Sequence, residues 1–135
     1  MRVSTQNQRF TVRLIGVDRP EIHENEKAIR QQTHWNGGLT KSLIWGERAK
    51  NAVQTLIKPQ DWVRLEFDLA QVDRYDRVLA YVYLKNGLSL NEWLLRQGLA
   101  IGLFIKPNFK HRKHLSAIAE GASNNRVGIF QDYTP

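Results

Sequence analysis

From Arg9 to Ile15 apolar and polar residues alternate, with Phe10, Val12 and Leu14 on one face and Arg9, Thr11 and Arg13 on the other. A period of two describes a half-buried strand. Arg2-Val3-Ser4 is expected to pair with it across the short polar connection Thr5-Gln6-Asn7-Gln8. From Glu21 to Thr40 no period is sustained and Gly37-Gly38 intervenes, so residues 22–44 are expected to form a long mobile loop of the kind that often carries function. Helical spacing begins at Trp45-Gly46-Glu47 and continues through Ala49, Ala52, Val53, Leu56 and Ile57 to Pro59. WVRLEFD then predicts a strand with Val63, Leu65 and Phe67 on one face, and VLAYVYL (78–84) predicts another, followed by Asn86-Gly87 turn chemistry. Ser89 and Glu92 have capping-box spacing and open a short helix that stops at Gly98. A second loop is expected over residues 99–110. After it comes a helix with Leu115, Ile118, Ala119 and Ala122 as its buried stripe, then an irregular VGIF segment.

The element order is thus strand, strand, helix, strand, strand, helix, helix. Strands and helices do not alternate strictly, which argues against a doubly wound sheet. An α+β fold, a small antiparallel barrel with helices packed on it, is expected to occupy residues 1–135 as one domain.

Composition narrows the function classes. The chain has no cysteine, which removes disulfides and thiolate chemistry. It also has no apolar run near the roughly 18–20 residues of a membrane span, so no membrane partner is expected. MRVSTQNQRF lacks an apolar secretory core, so the chain as it stands is expected to be cytoplasmic. A net charge of +7 favours a polyanionic partner, because neutralising phosphates releases counterions. A solvated lysine-rich surface is the plainer alternative.

The strand at residues 9–15 runs into Asp18-Arg19-Pro20-Glu21, and Arg77 lies far downstream. Carboxylates suit a hard divalent cation and can deprotonate water, and guanidiniums bind phosphoryl oxygens through paired hydrogen bonds. Arg13, Asp18, Glu21 and Arg77 are therefore what a phosphodiesterase would use. Read from spacing alone, the plainer account is that Asp18 caps the turn while Glu21 is solvated.

VRLIGVDRPE, WGERAKNAVQTLI, DRYDRVLAYVY, NEWLLRQGLA and KPN come one after another in the order of the staphylococcal thermonuclease family, and the chain resembles that family from about residue 2 to its end. The resemblance implies an OB-like five-stranded barrel with three helices and calcium-dependent cleavage of DNA and RNA. It likens Asp18 to the calcium-ligating aspartate and Arg19 to the residue whose backbone carbonyl also binds the ion. Glu21 resembles the general base, Arg13 and Arg77 the two phosphate-gripping arginines, and Asp73 and Tyr75 the residues lining the nucleotide site. Tyr75 could instead pack on the barrel.

Three departures matter. The family's opening strand, with its Asp-Gly-Asp-Thr-type stretch and second metal-binding aspartate, has no counterpart, so the first strand is expected to be absent and calcium binding weakened. An open barrel edge would then need cover, for which a homodimer or strand exchange is expected. The segment before Lys106-Pro107 reads GLFI, leaving Phe104 to stack on bases and Lys106 to meet the backbone of single-stranded DNA or RNA. Lys106, Lys110, Arg112 and Lys113 either track that backbone or form an ordinary charged face. His111 and His114, at i and i+3, fall short of a zinc signature. Finally, Glu24, Glu26 or His34 in the longer loop either replaces the absent ligand or is solvated. The expected function is a calcium-dependent nuclease; the alternative is a catalytically impaired OB-like module that binds single strands.

Overall fold

The computed structural model describes all of residues 1–135. Strands β1 (Arg2–Ser4) and β2 (Arg9–Leu14) form the expected hairpin, in which the Thr5 amide donates to the Gln8 carbonyl at 2.8 Å. The strand breaks at Gly16, whose φ of +79° is disfavoured for a residue with a Cβ, and resumes as β3 (Gly16–Asp18). This kink turns Asp18 away from the direction of β2. The two strands expected from WVRLEFD and VLAYVYL, β4 (Val63–Glu66) and β5 (Val78–Leu84), run antiparallel to each other, and β5 also lies parallel to β2 with Val12 opposite Val78. The sheet order is β1-β2-β5-β4, a curled half-barrel with β1 and β4 as its two edges. An all-antiparallel barrel was expected; the β2–β5 pair is parallel because the chain returns to β2 through a long helical crossover and β4.

Two expected loops carry regular structure. Within residues 22–44 lie helix α1 (Glu26–Gln31), a 3-10 turn (Gln32–His34) and the opening of α2 (Gly38–Leu56). Helix α1 starts where the Asn25 side chain accepts from the Ala28 amide at 2.8 Å, and it buries Ala28. Trp35 and Trp45 anchor the adjoining chain by packing with Ala122, Ile129 and Phe130 in a second, smaller core. Within residues 99–110, β6 (Ile101–Leu103) pairs antiparallel with β3 in a separate two-stranded sheet. The helices therefore number four rather than three, the others being α3 (Leu90–Arg96) and α4 (Arg112–Asn124). The architecture is an OB-like α+β fold.

The main core joins β2, β5 and α3 through Val12, Leu14, Val82, Leu90, Leu94 and Leu95. Burying each leucine is worth roughly 1.5–3 kcal/mol. The Ser89 side chain accepts from the Glu92 amide and caps α3 as its spacing predicted. Behind that cap, fully buried Asn91 accepts from the Val82 amide and donates to the Ile15 carbonyl, both at 2.8 Å. One side chain thus ties α3, β5 and the β2–β3 kink together, beneath the candidate site.

Candidate active site

Two adjoining cavities open beside the β2–β3 kink, and Arg13 and Arg77 line both. One, of about 340 Å³, also holds Asp18, Arg19, Glu21 and Lys27. The other, of about 380 Å³, is lined by Asp73, Arg74, Tyr75, Ile105, Lys106 and apolar wall residues including Leu79. Eight of the nine residues singled out in the sequence line one cavity or the other.

Phe104 is the exception. Its ring is half-buried against the main core, where Gly16 and Gly102 leave room for it: a Cβ on Gly16 would lie 2.8 Å from the ring, and one on Gly102 would lie 3.1 Å from it. Exposed Ile105, with Leu103, takes the place at the cavity expected of Phe104. Strand alternation explains the swap, since β6 and its continuation send successive side chains to opposite sides.

Asp18 is buried at the end of β3, and Glu21 lies beyond it on the turn. That turn is pressed against α2 at Gly46, where an added Cβ would sit 2.1 Å from the Glu21 carbonyl oxygen. The glycine of WGERAK is therefore a contact surface for the Pro20–Glu21 backbone. Arg13 is steered by the same turn, since its Nη1 donates to the Leu14 and Val17 carbonyls, the latter at 2.6 Å. Arg77 is held differently. Its backbone amide donates to Asp73 Oδ1 at 2.9 Å and its Nε to Asp73 Oδ2 at 2.8 Å, and Asp73 Oδ1 also accepts from the Tyr75 amide. Asp73 thus acts on the site by fixing Arg77 and Tyr75. The Tyr75 ring is largely exposed at the cavity mouth, with Arg77 Cζ 5.4 Å from its centroid.

Cations crowd this region. Burial pushes the Arg13 guanidinium below its ordinary pKa while the nearby Asp18 carboxylate pulls it back up. Burial, then Arg13, likewise lower Arg19. The Met1 amino group is lowered by burial, then by Arg19 and Arg77. Clustered positive charge of this kind favours anions in general.

Sequence reasoning missed two residues here. Arg74 donates to the Tyr75 hydroxyl at 2.8 Å and flanks the second cavity. Lys27, on the first turn of α1, places its Nζ on Asp18 Oδ1 and 3.2 Å from Glu21 Oε1. Asn25 ahead of the helix formers Glu26, Lys27 and Ala28 was the available signal for α1. It was obscured by the lack of a sustained apolar stripe. Glu26 meanwhile pairs with Arg30 at 3.8 Å, and His34 contacts the Thr134 carbonyl. No three His, Cys, Asp or Glu side chains converge as a metal-binding group.

Two carboxylates nevertheless converge on one cationic centre, the Lys27 nitrogen. That donor chemistry fits a single hard cation, with further oxygens needed to reach its usual six to eight. Near the second loop the basic cluster divides. Lys106 lines a cavity, but Lys110 Nζ lies 2.6 Å and His111 Nε2 2.8 Å from Glu66 oxygens. His114 meets Glu92 at 3.4 Å, and Arg112 lies over the Phe109 ring. The Lys106-Pro107 bond is cis. No helix is long and apolar enough to cross a membrane.

The staphylococcal nuclease homologue family matches residues 11–132. The chain is 30% identical over 129 residues to a thermonuclease of Staphylococcus intermedius and 28% over 130 residues to one of Staphylococcus hyicus. Each match covers 96% of this chain and 68% of the relative. It is also 25% identical over 126 residues to endonuclease YhcR of Bacillus subtilis, covering 92% of this chain but 10% of that protein. A match that takes in β2 through the C-terminal 3-10 turn (Gly128–Gln131), and with it both walls of the cavities, places the chain in the staphylococcal nuclease homologue family.

Proposed function

We propose that the chain is a nuclease that hydrolyses phosphodiester bonds of single-stranded DNA, RNA or both. The observation that supports this most is the meeting of Asp18 and Glu21 with Arg13 and Arg77 in one cation-rich cavity. The scissile phosphate would be gripped by the guanidinium of Arg77, preset by Asp73, and by Arg13. Glu21 would take a proton from the attacking water as its oxygen bonds to phosphorus and the opposite P–O bond breaks. The arginines would offset the charge that builds on the phosphoryl oxygens. Tyr75 and Ile105 at the mouth of the second cavity suit an adjoining nucleotide, with Lys106 near its backbone.

Asp18 and the Arg19 carbonyl, with Glu21 beside them, would hold Ca²⁺. When bound, such an ion supplies positive charge to the phosphoryl oxygen and the water. A second copy pairing on the free edges of β1 and β4 would give the homodimer expected from the sequence; light scattering across micromolar concentrations decides it.

The test is digestion of single-stranded DNA and RNA with calcium or with a chelator. Metal-dependent cleavage that collapses in Glu21→Gln and Arg77→Ala supports the reading. Retention of single strands without cleavage by the wild type would leave a binding module instead.

A further inference from the structure

Lys27 is the one cation in the cavity that touches both carboxylates. Its Nζ bonds Asp18 Oδ1 and lies 3.2 Å from Glu21 Oε1, so it occupies the point on which the two oxygens converge. The placement is built into the local fold. Helix α1 is capped by Asn25 and pinned by buried Ala28, the residue after Lys27, so the lysine stem leaves a fixed first turn. Its side chain stays about one-third exposed, which leaves a path by which the ammonium can swing out to water.

We propose that Lys27 is a built-in competitor for the metal: the Asp18–Glu21 pair holds either the lysine ammonium or a divalent cation, not both. Like charges at contact distance repel, and the Asp18 oxygen that would ligate an ion already accepts from Lys27. With the ammonium seated, the buried Asp18 charge is neutralised and a Glu21 oxygen is engaged, so the carboxylates are compensated at rest. Metal entry requires Lys27 to leave, and the departing ammonium is then free for a phosphate of the incoming strand. This inference rests on Asp18 and Glu21 as the cation-binding pair, and it deepens the proposed function by giving the site a resting and a loaded state.

Calcium chloride is titrated calorimetrically into wild type, Lys27→Met and Lys27→Gln, each checked for fold by circular dichroism. Both variants are expected to bind calcium roughly tenfold or more tightly than wild type, since removing one partially buried competing charge is an effect of about that size. The gain should vanish in the Asp18→Asn/Lys27→Met double variant. In thermal melts without metal both single variants should unfold earlier than wild type, and calcium should raise their midpoints more than it raises that of wild type. Equal affinity in wild type and both single variants, including undetectable binding in all three, overturns the proposal. Nuclease activity is measured separately. Cleavage with unchanged calcium affinity removes only the Lys27 inference, and tightened affinity without cleavage removes only the nuclease reading.

Discussion

Gly46 of α2 and Glu21 of the turn after β3 touch so closely that a single methyl group on the glycine would overlap the glutamate carbonyl oxygen at 2.1 Å. The backbone that carries the proposed base is therefore seated on α2, which begins at Gly38 and also brings Lys50 to the cavity.

Gly46→Ala should push the Pro20–Glu21 turn outward. A displacement near 1 Å at a reacting group costs on the order of a hundredfold in rate, and overpacking costs roughly 1–3 kcal/mol. Cleavage rate and urea denaturation measured on the same preparation check both. A Gly46→Ala protein with unaltered turnover would mean that the turn relaxes without moving Glu21.

Asp73 should matter through Arg77. Asp73→Ala removes three hydrogen bonds that fix Arg77 and Tyr75, and a loss of roughly tenfold to a hundredfold in cleavage is expected. Arg77→Ala should lose more, and the double variant should resemble Arg77→Ala alone because the two residues act as one unit. Additive losses would show that Asp73 has an independent role.

Asn91→Leu should destabilise the protein by roughly 2–4 kcal/mol, since the Val82 amide and Ile15 carbonyl would be left buried without partners. The expected observation is a lower urea midpoint with an unchanged slope. An unchanged midpoint would mean that water satisfies both groups.

Acid stability should depend on Glu66, whose carboxyl is pulled down to about 2 chiefly by the hydrogen bond from Lys110, with His111 and Tyr83 adding to it against the opposing effect of burial. A carboxylate with a depressed pKa in the folded state binds fewer protons there than when unfolded. Its stabilisation is thus fully present above about pH 4.5 and is lost as the pH falls towards 2. Urea midpoints from pH 6 to pH 2 should fall less steeply in Glu66→Gln than in wild type. Parallel curves would assign acid unfolding to other groups.

Much of the fold was written in local pattern. The β1–β2 hairpin, β5 and the Ser89-capped α3 each rest on signals within a few residues, namely alternation, turn chemistry or a cap, and each formed where those signals lay. The charged stretch Asp18–Glu21 was legible only as a turn whose purpose spacing could not decide, and the break at Gly16 was not expected at all. Helix α1 and strand β6 were less legible because neither carries a stripe of its own. They are held by Ala28 burial, by Trp35 and Trp45 against the C-terminal segment, and by pairing with β3.

By itself, the sequence determined the family likeness, the order of the longer strands and helices, and the choice of Arg13, Asp18, Glu21 and Arg77 as candidate site residues, but not β3, α1 or β6. Only the tertiary structure decided that Phe104 faces the core while Ile105 faces the cavity, that Asp73 serves Arg77, that Gly46 seats Glu21, and that Lys27 lies between two carboxylates. Periodicity reports which side of an element is apolar, whereas these relationships join elements distant in sequence. A lysine nine residues from Asp18 becomes its partner only once α1 is folded and docked.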